Sequence, residues 1–171
     1  MQVEVNIQNH FWLPDRSEAI APSPISSETW ETWFRHWLET LSPDIPPADS
    51  YELSLRLTND PEIQTLNAQY RHQNKPTDVL AFAALEVDCP QPDEMLFSLP
   101  LYLGDIVISV DTADRQAEQQ KHPLTTELAW LAAHGFLHLL GWDHPDEDSL
   151  IRMLNQQQNL LKSIGLTVEA L

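Results

Sequence analysis

Val3, Val5 and Ile7 alternate with polar residues, the period of a strand with one buried face. Pro14, Pro22 and Pro24 mark a loop over 10–24. Ser26 and Ser27 then offer N-caps, with Glu28 and Glu31 near the positive end of a helix dipole. Trp30, Trp33, Phe34, Trp37, Leu38 and Leu41 follow at helical spacing and predict one broad stripe turned to the core. Pro43, Pro46 and Pro47 place a second loop at 42–50, after which Tyr51, Leu53, Leu55 and Leu57 alternate as a half-buried strand. Asp60 and Pro61 read as an N-cap and a first-turn proline, opening a helix to about Arg71. A strand at 79–85, an inserted loop or flap at 86–100 with Pro90, Pro92 and Pro100, and an interior strand at 101–110 come next. A helix from Asp111 or Thr112 ends near His122 and Pro123, and a longer one covers about 125–140 before Gly141, a natural left-handed stop. A final amphipathic helix uses Leu150, Leu154, Leu161 and Ile164, and Gly165 ends it. No internal repeat and no linker between separate cores is visible, so the pattern predicts one α+β domain over 1–171.

Composition narrows the function. With 171 residues and 42% hydrophobic content, one domain can bury a sizeable core. The chain carries 26 Asp and Glu against 9 Lys and Arg, a net charge of −17. Coating nucleic acid by bulk electrostatics is excluded, because that mode needs Lys and Arg to neutralise phosphates. Any action on nucleic acid must draw its positive charge from a few residues or from a metal. Cys89 is alone, so neither a disulfide framework nor a thiolate zinc site is expected. The longest apolar stretch, 128–142, has fifteen residues and includes two histidines, too short to span a bilayer. The N-terminal residues lack the basic start and apolar core of a secretion signal. A soluble, cytoplasmic protein without a membrane or DNA partner is the expectation.

The segment that carries chemistry runs from His134 to His144. His134 and His138 are four apart on the long helix, so both imidazoles leave one face within reach of a single ion. Gly141 lets the chain turn back, and His144 can then complete a three-histidine site. Zinc suits imidazole, and three protein ligands leave a fourth position open. Neutral ligands keep nearly the full double charge of the ion, which acidifies a bound water toward a pKa of about 7 and attracts a phosphate oxygen. The spacing is that of the metzincin proteases, except that their glutamate base after the first histidine is here Gly135. A second feature is the acid-free window 63–77, which holds Arg71, His72 and Lys75. Arg71 reads either as a partner of its helix C-terminus or as a planar clamp for phosphate charge. The similar window 149–168, with Arg152 and Lys162, is explained by a solvated helix face.

Together with the histidine segment, the runs Asn67 to Arg71, Pro76 to Phe82 and Leu103 to Ser109 resemble the YbeY family from about Tyr51 to Ile164. The resemblance implies a metal-dependent endoribonuclease of single-stranded RNA. It would act in maturation of the three-prime end of small-subunit ribosomal RNA and in ribosome quality control. It also implies a zincin-like fold, a mixed β-sheet packed with helices and distantly related to zinc proteases. By resemblance His134, His138 and His144 would bind one Zn2+, and Arg71 would serve RNA cleavage. Asp78, Asp105 and Asp143 lie inside matching motifs and could orient a histidine through its second nitrogen, or serve only as caps and turns. Thr77 and Trp142 read as structural. Two departures are visible: 86–100 is longer than a typical family loop, and the proline-rich segment after residue 10 is extended. The acidic balance suggests docking on a ribosomal protein or assembly factor of the small subunit. Two other functions compete, an assembly factor with a mainly structural zinc and a metalloprotease.

Overall fold

Four strands pair in the order β1 (Gln2–Asn9), β2 (Ser50–Thr58), β4 (Leu101–Ser109) and β3 (Val79–Ala83). The computed structural model describes residues 2–11, 24–43, 45, 48–84 and 100–168. β1 runs parallel to β2 and β2 to β4, while β3 lies antiparallel on β4 at the sheet edge. The sheet is therefore mixed. Among the described residues five helices surround it: α1 (Ser27–Leu41), α2 (Asp60–Arg71), α3 (Val110–Gln120), α4 (Leu124–Leu139) and α5 (Glu147–Ser163). This is a single-domain α+β fold. The prolines of 12–23, Leu85 at the end of the expected strand 79–85, and 86–99 of the expected insertion 86–100, with Cys89, lie outside the described residues.

Alternation along the strands decides which helices sit on which face. Leu53, Leu55 and Leu57 of β2 and Leu103, Ile106 and Ile108 of β4 are buried in the main core beneath α1, α4 and α5. The tryptophan stripe fills it. Phe34 meets Phe136 of α4 edge-on with centroids 5.2 Å apart, and Trp37 Nε1 donates to the Leu160 carbonyl at 3.0 Å. The opposite face carries a smaller cluster, where Ile63 and Leu66 of α2 cover Leu80, Phe82 and Val107. Burial of this apolar area is the main driving force for both layers. Gly104 sits where the β2–β4 register shifts, at φ +138°, and a Cβ there would lie 2.2 Å from the Phe82 carbonyl oxygen. Only glycine lets β3 approach so closely.

Several element ends differ from the sequence reading. Asn59, not Asp60, caps α2, accepting from the Glu62 N–H at 3.0 Å. Asp60 instead accepts from Ser109 Oγ at 2.6 Å, Thr112 Oγ1 at 2.7 Å and Arg115 at 2.8 Å, binding the start of α2 to α3. Ser109 likewise caps α3, which begins one residue before Asp111. β3 ends at Ala83. In α5 the buried face holds Met153, Gln157, Leu160 and Leu161, and Leu150 is turned to solvent.

Candidate metal centre

Helix α4 forms in the most apolar stretch of the chain, and eleven of its sixteen residues are buried. His134 and His138 interrupt that apolar surface, half-buried on one side of the helix. Their Nε2 atoms lie 3.1 Å apart. The helix then closes in a Schellman turn: the Trp142 N–H reaches the Leu137 carbonyl at 3.0 Å and the Gly141 N–H the His138 carbonyl at 3.1 Å. Gly141, at φ +98°, supplies the left-handed residue this turn needs. The returning segment brings His144 back over the helix, its ring centroid 6.0 Å from His134 and 5.5 Å from His138. One ligand atom from each of the three lies within 4.8 Å of the others, a group able to hold a metal ion.

Gln157 sets the chemistry of the first imidazole. This buried side chain of α5 donates through Nε2 to the Trp130 carbonyl at 2.9 Å, which leaves its Oε1 as an acceptor. Oε1 lies 3.2 Å from His134 Nδ1, so the proton belongs on Nδ1 and the Nε2 lone pair faces the other two rings. Burial pushes the His134 pKa down, against the opposing pull of Gln157 and Asp78. Burial and the neighbouring His134 bring His138 down to about 4. Both rings are thus held neutral, the form that binds a metal. Tetrahedral zinc with bonds of 2.0–2.1 Å separates its nitrogen donors by about 3.3 Å. The His134–His138 pair is already near that spacing, so the donor set fits.

The histidines open on a cleft of about 260 Å³ that Arg71, Val79, Ala81 and Asp143 also line. Arg71 comes from the last turn of α2, and its charge is among those that lower the pKa of both His134 and His138. Among the described residues it makes no ion pair. All four residues singled out from the sequence therefore share one cavity. The three aspartates do not orient a histidine. Asp78 accepts from the Val79 N–H, Asp105 from the Tyr102 hydroxyl, and Asp143 from the His144 N–H. The orienting partner is Gln157, which the sequence reading missed. Its signal was a glutamine on the apolar face of α5, between Met153 and Leu160. Gly135 is packed so tightly that a Cβ would lie 2.9 Å from Ile106 Cγ2, leaving no room for a glutamate base.

A model of the endoribonuclease YbeY family matches residues 17–165. A curated endoribonuclease YbeY from a Nostoc species is 61% identical over 172 residues, covering 98% of this chain and 93% of that protein. Another, from Trichormus variabilis, is also 61% identical and covers 98% and 97%. Among solved structures, TM1509 from Thermotoga maritima superposes with a TM-score of 0.53 at 22% identity, covering 94% of this chain and 88% of that one. That likeness speaks to the fold, and the sequence matches speak to descent. The chain belongs to the YbeY family of endoribonucleases.

Proposed function

We propose that this chain is a zinc-dependent endoribonuclease of single-stranded RNA, serving small-subunit ribosomal RNA three-prime end maturation and ribosome quality control. The observation that carries the reading is the convergence of His134, His138 and His144 on the cleft that Arg71 also lines. In this reading the three histidines hold one Zn2+ and residues 1–171 act as a single domain with 86–100 as an insertion. Bound zinc supplies a Lewis acid that polarises a phosphoryl oxygen and acidifies water. Arg71 binds the non-bridging oxygens and offsets the negative charge that grows on the phosphate during cleavage. Gln157 keeps the His134 proton on Nδ1 throughout. No helix among the described residues is long and apolar enough to cross a membrane. We place the reaction in the cytoplasm, with a ribosomal protein or assembly factor rather than bulk charge bringing this acidic chain to its RNA.

The competing readings fit less well. Peptide hydrolysis lacks its base, since Gly135 has no space for a carboxylate side chain. A purely structural zinc favours a closed set of four ligands, whereas His144 is exposed and the cleft is open. Arg71→Ala tests the assignment. Cleavage of single-stranded RNA should fall about 100- to 1000-fold, the usual loss for a donor to developing charge. Zinc content by mass spectrometry should stay stoichiometric in this variant and be lost in His138→Ala. Full cleavage by Arg71→Ala, or retained zinc in His138→Ala, contradicts the proposal. Analysis of the product ends separates the two routes of attack, since a cyclic or 2′/3′-phosphate identifies the ribose hydroxyl as nucleophile.

A further inference from the structure

We propose that the groove between α2 and the second face of the sheet is a nucleobase subsite for the strand that enters the Arg71 cleft. The inference rests on the endoribonuclease reading and adds to it where a base of the substrate goes. The groove encloses about 420 Å³ and is separate from the histidine cleft. Leu66, Phe82 and Val107 give it an apolar floor. Tyr70 forms a wall, with 57% of its surface exposed, and Phe82 meets its ring at 68° with centroids 5.3 Å apart. An aromatic ring held in place yet open to solvent is what single-stranded RNA uses as a stacking platform.

The rim selects a base over a phosphate. Arg56 Nε donates to Gln8 Oε1 at 2.9 Å, which fixes the guanidinium at the edge of the groove. Asp105 supplies a carboxylate on the same rim. A phosphate would meet repulsion from Asp105, whereas the edge of a neutral base offers both an acceptor for Arg56 and an N–H for Asp105. Placement relative to the histidines follows from alternation. Val79 and Ala81 of the edge strand β3 line the histidine cleft, and Phe82 lines the groove. On α2 the consecutive residues Tyr70 and Arg71 divide in the same way. An RNA strand folded over the β3 edge therefore sets a phosphate beside Arg71 and a base against Tyr70.

The test uses zinc-loaded full-length protein and short fluorescent single-stranded oligoribonucleotides with one abasic residue moved along the strand, read by anisotropy. One abasic position should weaken binding about 5- to 150-fold, the contribution of one stacked base. Tyr70→Ala should lose a similar factor on intact RNA and show no further abasic penalty, while Tyr70→Phe binds like the parent. Zinc content and melting temperature confirm that the exposed substitution leaves the fold intact. Undiminished RNA affinity in Tyr70→Ala, or an abasic penalty that persists in it, overturns the subsite even if cleavage is normal; the groove then serves a protein partner. A Tyr70-dependent base contact in a protein that cleaves no RNA supports the subsite and overturns the nuclease reading. Parent protein that binds no RNA overturns both.

Discussion

Gln157 illustrates how one buried amide can govern a site it does not enter. Its Nε2 is committed to the Trp130 carbonyl, so Oε1 can only accept, and the His134 proton is placed by exclusion. Gln157→Leu removes that constraint and should weaken zinc binding about 10- to 100-fold in chelator competition, the usual effect of losing a partner of a metal-bound histidine. Unchanged affinity would show that packing alone orients the ring. Gly135 makes a second case. Adding a methyl group forces it into Ile106, which costs about 1–3 kcal/mol of overpacking, while the helix gains up to about 1 kcal/mol from alanine. Gly135→Ala should therefore lower the melting temperature despite its better helix propensity. The histidine triad was readable because its members are close in sequence and its geometry follows from helical spacing and one glycine. Gln157 was not, because its partner lies 23 residues away and only the packing of α5 on α4 joins them.

At the level of elements, the junction of α2, β4 and α3 depends on one carboxylate. Burial pulls the Asp60 pKa upward, but hydrogen bonds from Ser109, Thr112 and Arg115 outweigh it and hold the group below its ordinary value. Its stabilisation is therefore full above the unfolded value near 3.8 and is lost as pH falls through the lower folded value. Asp60→Ala should cost about 1–3 kcal/mol at neutral pH. Urea titrations should show the gap between variant and parent narrowing only below about pH 4, because the ordinary aspartate value lies there. A constant gap would assign the loss to packing instead. The sequence reading found the helix but chose the wrong cap, since Asn59 and Asp60 both have capping side chains. Local pattern cannot show that Ser109 and Arg115 engage the second of them. Strand order was equally hidden: β4 pairs between β2 and β3, an arrangement set by long-range packing.

For the molecule as a whole, a net charge of −17 must coexist with a polyanionic substrate. Arg71 in the histidine cleft and Arg56 in the groove are the two guanidinium groups that face the proposed RNA path. Arg56 meets a base edge in that groove, so the phosphate beside Arg71 is the one neutralised, and on a single strand this gives a slope of log K against log salt of about −0.7. Measured RNA affinity should therefore depend only shallowly on salt; a slope several times steeper would reveal a basic surface beyond these two residues. The unequal footing of the three imidazoles has a kinetic consequence. His134 and His138 ride on α4, which opens only if the main core does, whereas His144 rides on the exposed turn after Gly141. A bound ion would leave His144 first, and a small chelator would occupy the vacated position before the ring swings back. The rate of zinc extraction should then climb with chelator concentration instead of levelling off at a spontaneous limit.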